Sequence, residues 1–211
     1  GSYADDAGEQ LARRLLMQGK TQIDFLVLTH FDEDHVGGVP QLLSRMEVGT
    51  ILAPDQTDDG GNRERILTAA EEAGVAVRFV RQDVTVEFPT GRLEIFAPVR
   101  ESGDNDGISA LMSVEEYDIL ITGDMDAAGE RRLLETWELP DIDILEVGHH
   151  GSASSTCEDL LDALRPETAI ISVGSGNSYG HPADETLRRL RKVGADIYRT
   201  DLQGTIELTL N

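Results

Sequence analysis

Thr29-His30-Phe31-Asp32-Glu33-Asp34-His35-Val36-Gly37-Gly38 follows directly on Ile23-Asp24-Phe25-Leu26-Val27-Leu28. The first six residues are a short, mostly apolar run that suits a buried parallel strand. Four potential metal ligands, His30, Asp32, Asp34 and His35, then fall within six positions. Imidazoles and carboxylates packed this densely beside a buried strand are costly to bury unless a cation compensates them. The cluster is expected in a loop where a strand ends, the place where open α/β sheets build their sites.

Outward from that stretch, the chain reads as alternating elements. A helix is expected over residues 6–18, with Asp6 as its N-cap and Gly19 as its stop. After the ligand loop, Gly37-Gly38-Val39-Pro40 starts a second helix, followed by a strand at 50–53 and a helix at 63–73. Residues 75–80, 84–88, 93–96, 108–113 and 118–121 form strand-like runs separated by turn signals. Helices at 127–135, 157–164 and 184–193 then alternate with strands at 142–147, 168–173 and 196–199, and a last strand is expected at 205–210. Two α/β segments flanking a β-rich middle imply one layered domain over 1–211, helices outside and sheets inside.

Composition bounds the function. The 211 residues carry 40 acidic and 18 basic side chains, a formal net charge of -22, with 39% hydrophobic and 5% aromatic residues. A chain this acidic is not a generic nucleic-acid binder, which would show a basic surface. Bound cations are expected to offset part of the charge. Cys157 is the single cysteine, so no intramolecular disulfide forms, and it reads as a partly buried residue at a helix start. No apolar stretch approaches the ~20 residues that span a membrane.

Three further clusters fall at expected strand ends: Thr122-Gly123-Asp124, Gly148-His149-His150-Gly151-Ser152, and Asn177-Ser178-Tyr179-Gly180-His181-Pro182. All five histidines lie in these loops or in the opening one, and none is expected on a helix face. Adjacent residues of an extended strand point to opposite faces, so only one of His149 and His150 is expected to enter a site. Arg188, Arg189, Arg191 and Lys192 read as a solvated helix face.

His-x-Asp-x-Asp-His-x-Gly-Gly resembles the metallo-β-lactamase-fold signature, in the variant with Asp where many members carry a second His. The blocks Asn105-Asp106-Gly107-Ile108-Ser109, Thr122-Gly123-Asp124, Val147 to Ser152, Tyr179-Gly180-His181-Pro182 and Ile197-Tyr198-Arg199-Thr200-Asp201 with Gly204 are similar to the C-terminal domain of the DNA-uptake channel ComEC, in order and over essentially the whole chain. The resemblance implies an α/β (α+β) four-layer αββα sandwich. It also implies two strands and an Asp-containing turn ahead of the first helix, so the domain is expected to be N-terminally truncated, with an unpaired sheet edge.

Carried over by resemblance, His30 and Asp32 help hold one metal, Asp34 and His35 the other, Asp124 bridges both, and His150 completes the second site. His149 is a reserve ligand. Asp34 and His181 take part in the catalytic step, His181 as proton donor or phosphate contact. Asn105, Ser109, Ser152 and His149 lie near the substrate. The family's intermediate histidine ligand is not evident, since Asn105 or Ser109 occupies that block. The implied cofactors are two divalent ions, Mn²⁺ or Zn²⁺, with Mg²⁺ a third option, because Asp32 adds a hard oxygen ligand. The implied activity is hydrolysis of DNA, single-stranded DNA favoured, on the outer face of the cytoplasmic membrane and attached to a membrane-embedded channel. Two alternatives stay open: hydrolysis of another ester, of phosphocholine esterase or lactonase type, or a non-catalytic docking module of the uptake machinery.

Overall fold

The computed structural model describes residues 3–58, 60–98 and 107–209, with the side chains of 3–6 left aside. The chain divides into two compact units, Gly1–Arg81 and Gln82–Asn211.

The first unit holds α1 (Tyr3–Met17), β1 (Gln22–Val27), α2 (Glu33–Val36), α3 (Val39–Leu43), β2 (Glu47–Pro54), α4 (Asn62–Ala73) and β3 (Ala76–Val80). The three strands pair in parallel in the order β1-β2-β3. Parallel strands need crossover connections, and the helices between them supply these. The central strand β2 is the most buried of the three and ends in four consecutive buried residues. Its Ile51 and Ala53 pack with Leu28, Phe31 and Val36 and with Ile66 and Ala70 of α4.

The second unit holds β4 (Val84–Phe88), β5 (Gly91–Phe96), β6 (Ser109–Val114), β7 (Tyr117–Ile121), α5 (Ala127–Thr136), β8 (Ile144–Glu146), α6 (Glu158–Leu164), β9 (Thr168–Ile171), α7 (Asp184–Val193), β10 (Asp196–Arg199) and α8 (Thr200–Gln203). Its sheet runs β10-β9-β8-β7-β6-β5-β4. β4 to β7 form an antiparallel meander, and β7 to β10 are parallel. Leu120, Leu145, Ala169 and Ile171 from the parallel strands meet Leu133, Leu160, Leu187 and Leu190 from α5, α6 and α7 in one core. Two sheets with helices packed on them are the parts that the expected sandwich requires.

The structure corrects several expectations. The first helix begins at Tyr3, so Asp6 is inside it and not its N-cap. It ends as expected at Gly19, where φ is 75°. The backbone N–H groups of Gly19 and Lys20 fold back onto the carbonyls of Leu16 and Leu15. Residues 205–209 form no strand. Among the described residues no helix is long and apolar enough to cross a membrane.

Candidate metal centre

The opening cluster is not wholly loop. After β1, residues 28–32 lead into a single helical turn, α2, whose first turn carries Asp34 and whose last residues include His35. The expectation that no histidine sits on a helix is therefore wrong for His35. Asp32 occupies the N-cap position, with φ -67° and ψ 146°, yet its side chain makes no capping hydrogen bond. An N-cap carboxylate ordinarily accepts backbone N–H groups of the first turn. Here Oδ2 of Asp32 lies 3.8 Å from Nε2 of His30 instead. Oδ2 of Asp34 lies 4.0 Å from Nε2 of His35. The His30 and His35 rings are 4.0 Å apart, centroid to centroid.

His30 and His35 are largely buried, while the Asp32 and Asp34 side chains are 68% and 64% exposed. The Thr29 hydroxyl pairs with Nδ1 of His30 at 3.0 Å, which leaves Nε2 to face Asp32. The following glycines give the turn room. A Cβ on Gly8 of α1 would fall 2.0 Å from the carbonyl oxygen of Gly38, so helix and glycine backbone lie in direct contact.

The second unit builds its cluster from distant segments. Asp124 follows β7, and its side chain is 9% exposed. Its Oδ2 faces Nε2 of His149 at 3.6 Å, and its Oδ1 faces Nε2 of His150 at 4.0 Å. Both imidazoles therefore reach one carboxylate, against the expectation that only one would enter. The reason is backbone geometry. Gly148–Gly151 is a tight turn, not extended strand, and His149 (φ 50°, ψ 48°) and His150 (φ 54°, ψ 21°) are both left-handed. The alternation of faces holds only for extended chain. Two adjacent left-handed non-glycine residues are strained, a condition that surrounding contacts must maintain.

Those contacts are visible. Nδ1 of His150 donates to the carbonyl of Ser172 at 2.7 Å. A carbonyl only accepts, so Nδ1 carries the proton and Nε2 presents its lone pair toward Asp124, the tautomer of a metal ligand. The residues on either side of Ser172 are held. The Thr200 hydroxyl accepts the N–H of Val173 at 2.8 Å and lies 2.8 Å from the Val173 carbonyl and 3.3 Å from that of Ile171. Gly148 sits where a Cβ would be 3.0 Å from Oγ1 of Thr122 and 3.3 Å from Cβ of Ser155. At Gly151 (φ 83°) a Cβ would be 2.6 Å from Cβ of Pro182.

A buried polar brace supports the turn from behind. Glu130 of α5 is 0% exposed, and its carboxylate accepts the backbone N–H groups of Thr156 and Cys157. Burial pushes the Glu130 carboxyl above its usual value, and the two N–H groups pull it partly back. The Thr156 hydroxyl accepts the N–H of Gly148 at 3.2 Å. From α7, Arg189 donates to the carbonyls of Ala153 and Ser155, at 3.0 and 2.8 Å, and the Thr186 hydroxyl donates to that of Ser152 at 2.7 Å. Arg189 is thus mostly buried and structural, not part of a solvated face, whereas Arg188, Arg191 and Lys192 are exposed as expected.

His181 joins the cluster, its ring 5.7 Å from that of His149. Burial, with the His149 and His150 imidazoles facing it, holds His181 below the ordinary histidine value. Ser152 follows the turn, its hydroxyl 3.0 Å from that of Ser154. Ser109 is the first residue of β6 and is buried. Asn105 lies outside the described residues. Cys157 caps α6, is buried, and burial pushes its thiol up to about 11, so it is no nucleophile near neutral pH. Glu130 and Thr200 were not singled out by their chemistry. The sequence signals are the place of Thr200 inside the block 197–201 and that of Glu130 three residues before Leu133 on the apolar stripe of α5.

Both donor sets, imidazole nitrogens with carboxylate oxygens and no thiolate, suit divalent ions such as Zn²⁺ and Mn²⁺. The metallo-beta-lactamase superfamily model matches residues 5–175. ComE operon protein 3 of Bacillus subtilis (strain 168) is 34% identical over 196 residues, 92% of this chain and 25% of that protein. Competence protein ComA of Neisseria gonorrhoeae is 33% identical over 196 residues, 91% of this chain and 26% of that protein. The chain thus spans about a quarter of the length of these curated relatives. Among solved structures, the metallo-beta-lactamase fold protein YhfI from Bacillus subtilis superposes with a TM-score of 0.54 at 10% identity, covering 83% of this chain and 73% of that one. Igni18, a metallo hydrolase from Ignicoccus hospitalis, gives 0.50 at 16% identity, covering 83% and 75%. At such identities the two structures speak for the fold alone.

Proposed function

The chain belongs to the metallo-beta-lactamase superfamily, and from that premise we propose that it is a metal-dependent phosphodiester hydrolase acting on DNA, single-stranded DNA in preference. The observation that carries this reading is the Asp124 carboxylate with each oxygen facing a different imidazole. A carboxylate presented in this way is suited to serve two ions.

The reading assigns His30, Asp32, Asp34 and His35 of the first unit, and Asp124 and His150 of the second, as ligands of divalent ions. Such ions supply hydroxide near neutral pH and counter phosphate charge. The protein's own groups do the rest. The Ser172 carbonyl fixes the tautomer of His150, and the Thr29 hydroxyl holds the His30 ring through Nδ1, which keeps the ligand atoms oriented before any ion arrives. His181, beside His149, is assigned as proton donor or phosphate contact. A formal charge of -22 repels a polyanion, so DNA cleavage by this chain is expected to depend strictly on metal. Support for DNA as the substrate comes from the similarity to competence proteins of two bacteria and from the motif order shared with the DNA-uptake channel. A parent membrane protein with this domain on the outer face is part of the same proposal.

The test is cleavage of end-labelled single-stranded DNA by the chain with Mn²⁺, Mg²⁺ or Zn²⁺. Metal-dependent cleavage that Asp124→Ala abolishes is the expected result. No cleavage with any of the three ions overturns the reading. Cleavage of bis-p-nitrophenyl phosphate without cleavage of DNA turns it toward a small-ester hydrolase.

A further inference from the structure

Tyr179 belongs to neither candidate ligand cluster. It is 82% exposed, the most exposed of the large hydrophobic side chains among the described residues. A tyrosine this exposed is usually free to move, but this one is held. Asn177 donates to the carbonyls of Gly174 (3.1 Å) and His181 (2.7 Å) and accepts the N–H groups of Tyr179 (3.2 Å) and His181 (3.1 Å). One side-chain amide thus uses both its ends to fix the loop on either side of Tyr179. The result is a near-parallel pair, the Tyr179 and His181 rings 6.0 Å apart with 17° between their planes. That spacing and tilt are those of an offset stack.

The pair forms the outer part of a series of rings. His181 lies 5.7 Å from His149, and Nε2 of His149 lies 3.6 Å from Asp124. The Tyr179 ring therefore stands at the solvent end of a row that begins at the candidate metal ligands. One face packs toward His181, and the exposure leaves the other open. A preset aromatic face beside a phosphodiester-cleaving centre suits one substrate feature above others, the planar base attached to the nucleotide being cut. Stacking is also independent of charge, which matters in a chain whose acidity works against contacts to the phosphate backbone.

We propose that Tyr179 is a substrate-specificity residue that stacks a nucleobase next to the scissile phosphodiester. This rests on the phosphodiesterase reading above and deepens it. The contact makes the substrate a nucleic acid strand with accessible, unpaired bases, because a base buried in a duplex offers no free face. Any of the four bases satisfies it, so the preference is for a base over none, not for one sequence.

The experiment compares cleavage of an oligothymidylate with cleavage of an equally long oligomer of abasic tetrahydrofuran units, under saturating Mn²⁺. The wild-type chain is expected to favour the base-bearing strand by about ten-fold in kcat/KM. Tyr179→Ala is expected to lose that preference through a raised KM with kcat retained, and Tyr179→Phe to keep it. A Tyr179→Ala variant that still prefers the base-bearing strand overturns the stacking role alone. A wild-type chain that cleaves neither strand overturns the phosphodiesterase reading and the stacking role with it.

Discussion

The two ligand clusters are built by opposite strategies. In the first unit, His30, Asp32, Asp34 and His35 come from one strand end and one helical turn, and two of the four side chains stand mostly in water. In the second, Asp124, His149, His150 and His181 come from three separated segments, and Asp124 is nearly buried. The first cluster owes its geometry to local backbone. The second owes it to a strained turn held by Glu130, Thr156, Thr186, Arg189 and Thr200. A local site tolerates the loss of a neighbour, and an assembled site does not. Substitutions should therefore separate the two.

The largest effect is expected at Asp124. Outer partners of ligands commonly change metal affinity by ~10–100-fold, and the residue proposed to serve two ions should exceed that. Asp124→Ala should lower affinity more than about 100-fold in a calorimetric titration, while the circular dichroism spectrum is unchanged. Next comes Glu130. Glu130→Ala leaves two buried backbone N–H groups without an acceptor. At about 1–3 kcal/mol for each unsatisfied group, urea denaturation should show a loss of roughly 2–6 kcal/mol. A drop below about 0.5 kcal/mol would show that the second cluster needs no brace.

Glu130 also gives a pH signature. Its carboxyl is raised above the ordinary 4.5, so its contribution to stability is complete below that value and declines as pH rises through the folded value. Glu130→Gln does not titrate. The stability gap between wild type and Glu130→Gln should therefore narrow as pH rises from 4 toward neutrality, measured by denaturation at a series of pH values. A gap that widens would mean that the two N–H groups outweigh burial.

Smaller effects should follow at Thr200 and Asp32. Thr200→Val removes the hydroxyl that holds Val173 beside Ser172, the residue that orients His150. Metal affinity should fall about ten-fold and return with Thr200→Ser, which keeps the hydroxyl. Asp32→Asn, at an exposed position, should cost the least stability, within about 0.5 kcal/mol, and act on metal affinity alone.

The same contrast explains which parts of the fold and site are legible in the sequence. The ligand spacing after residues 23–28 was legible because the first cluster is contiguous, and α7 and β10 fall where hydrophobic period and glycine stops place them. The second cluster was legible only as residue types. Nothing in Gly148-His149-His150-Gly151 announces two left-handed histidines, because a residue's backbone strain is paid for by contacts far away in sequence. Arg189 misled for a related reason: a charged run on a helix normally faces water, and here one guanidinium turns inward to meet the carbonyls of Ala153 and Ser155. Asp34 and His35, expected in a loop and found in α2, show the limit at short range, since a one-turn helix leaves too few positions for a period to appear.

The central claim is that this chain holds divalent ions with imidazole and carboxylate donors. Calorimetric titration of the metal-stripped chain with Zn²⁺ or Mn²⁺ tests it most directly. Two ions bound per chain, with binding lost in Asp124→Ala and retained in Tyr179→Ala, is the result predicted. A wild-type chain that binds no ion, or binds as well when Asp124 is replaced, would contradict it.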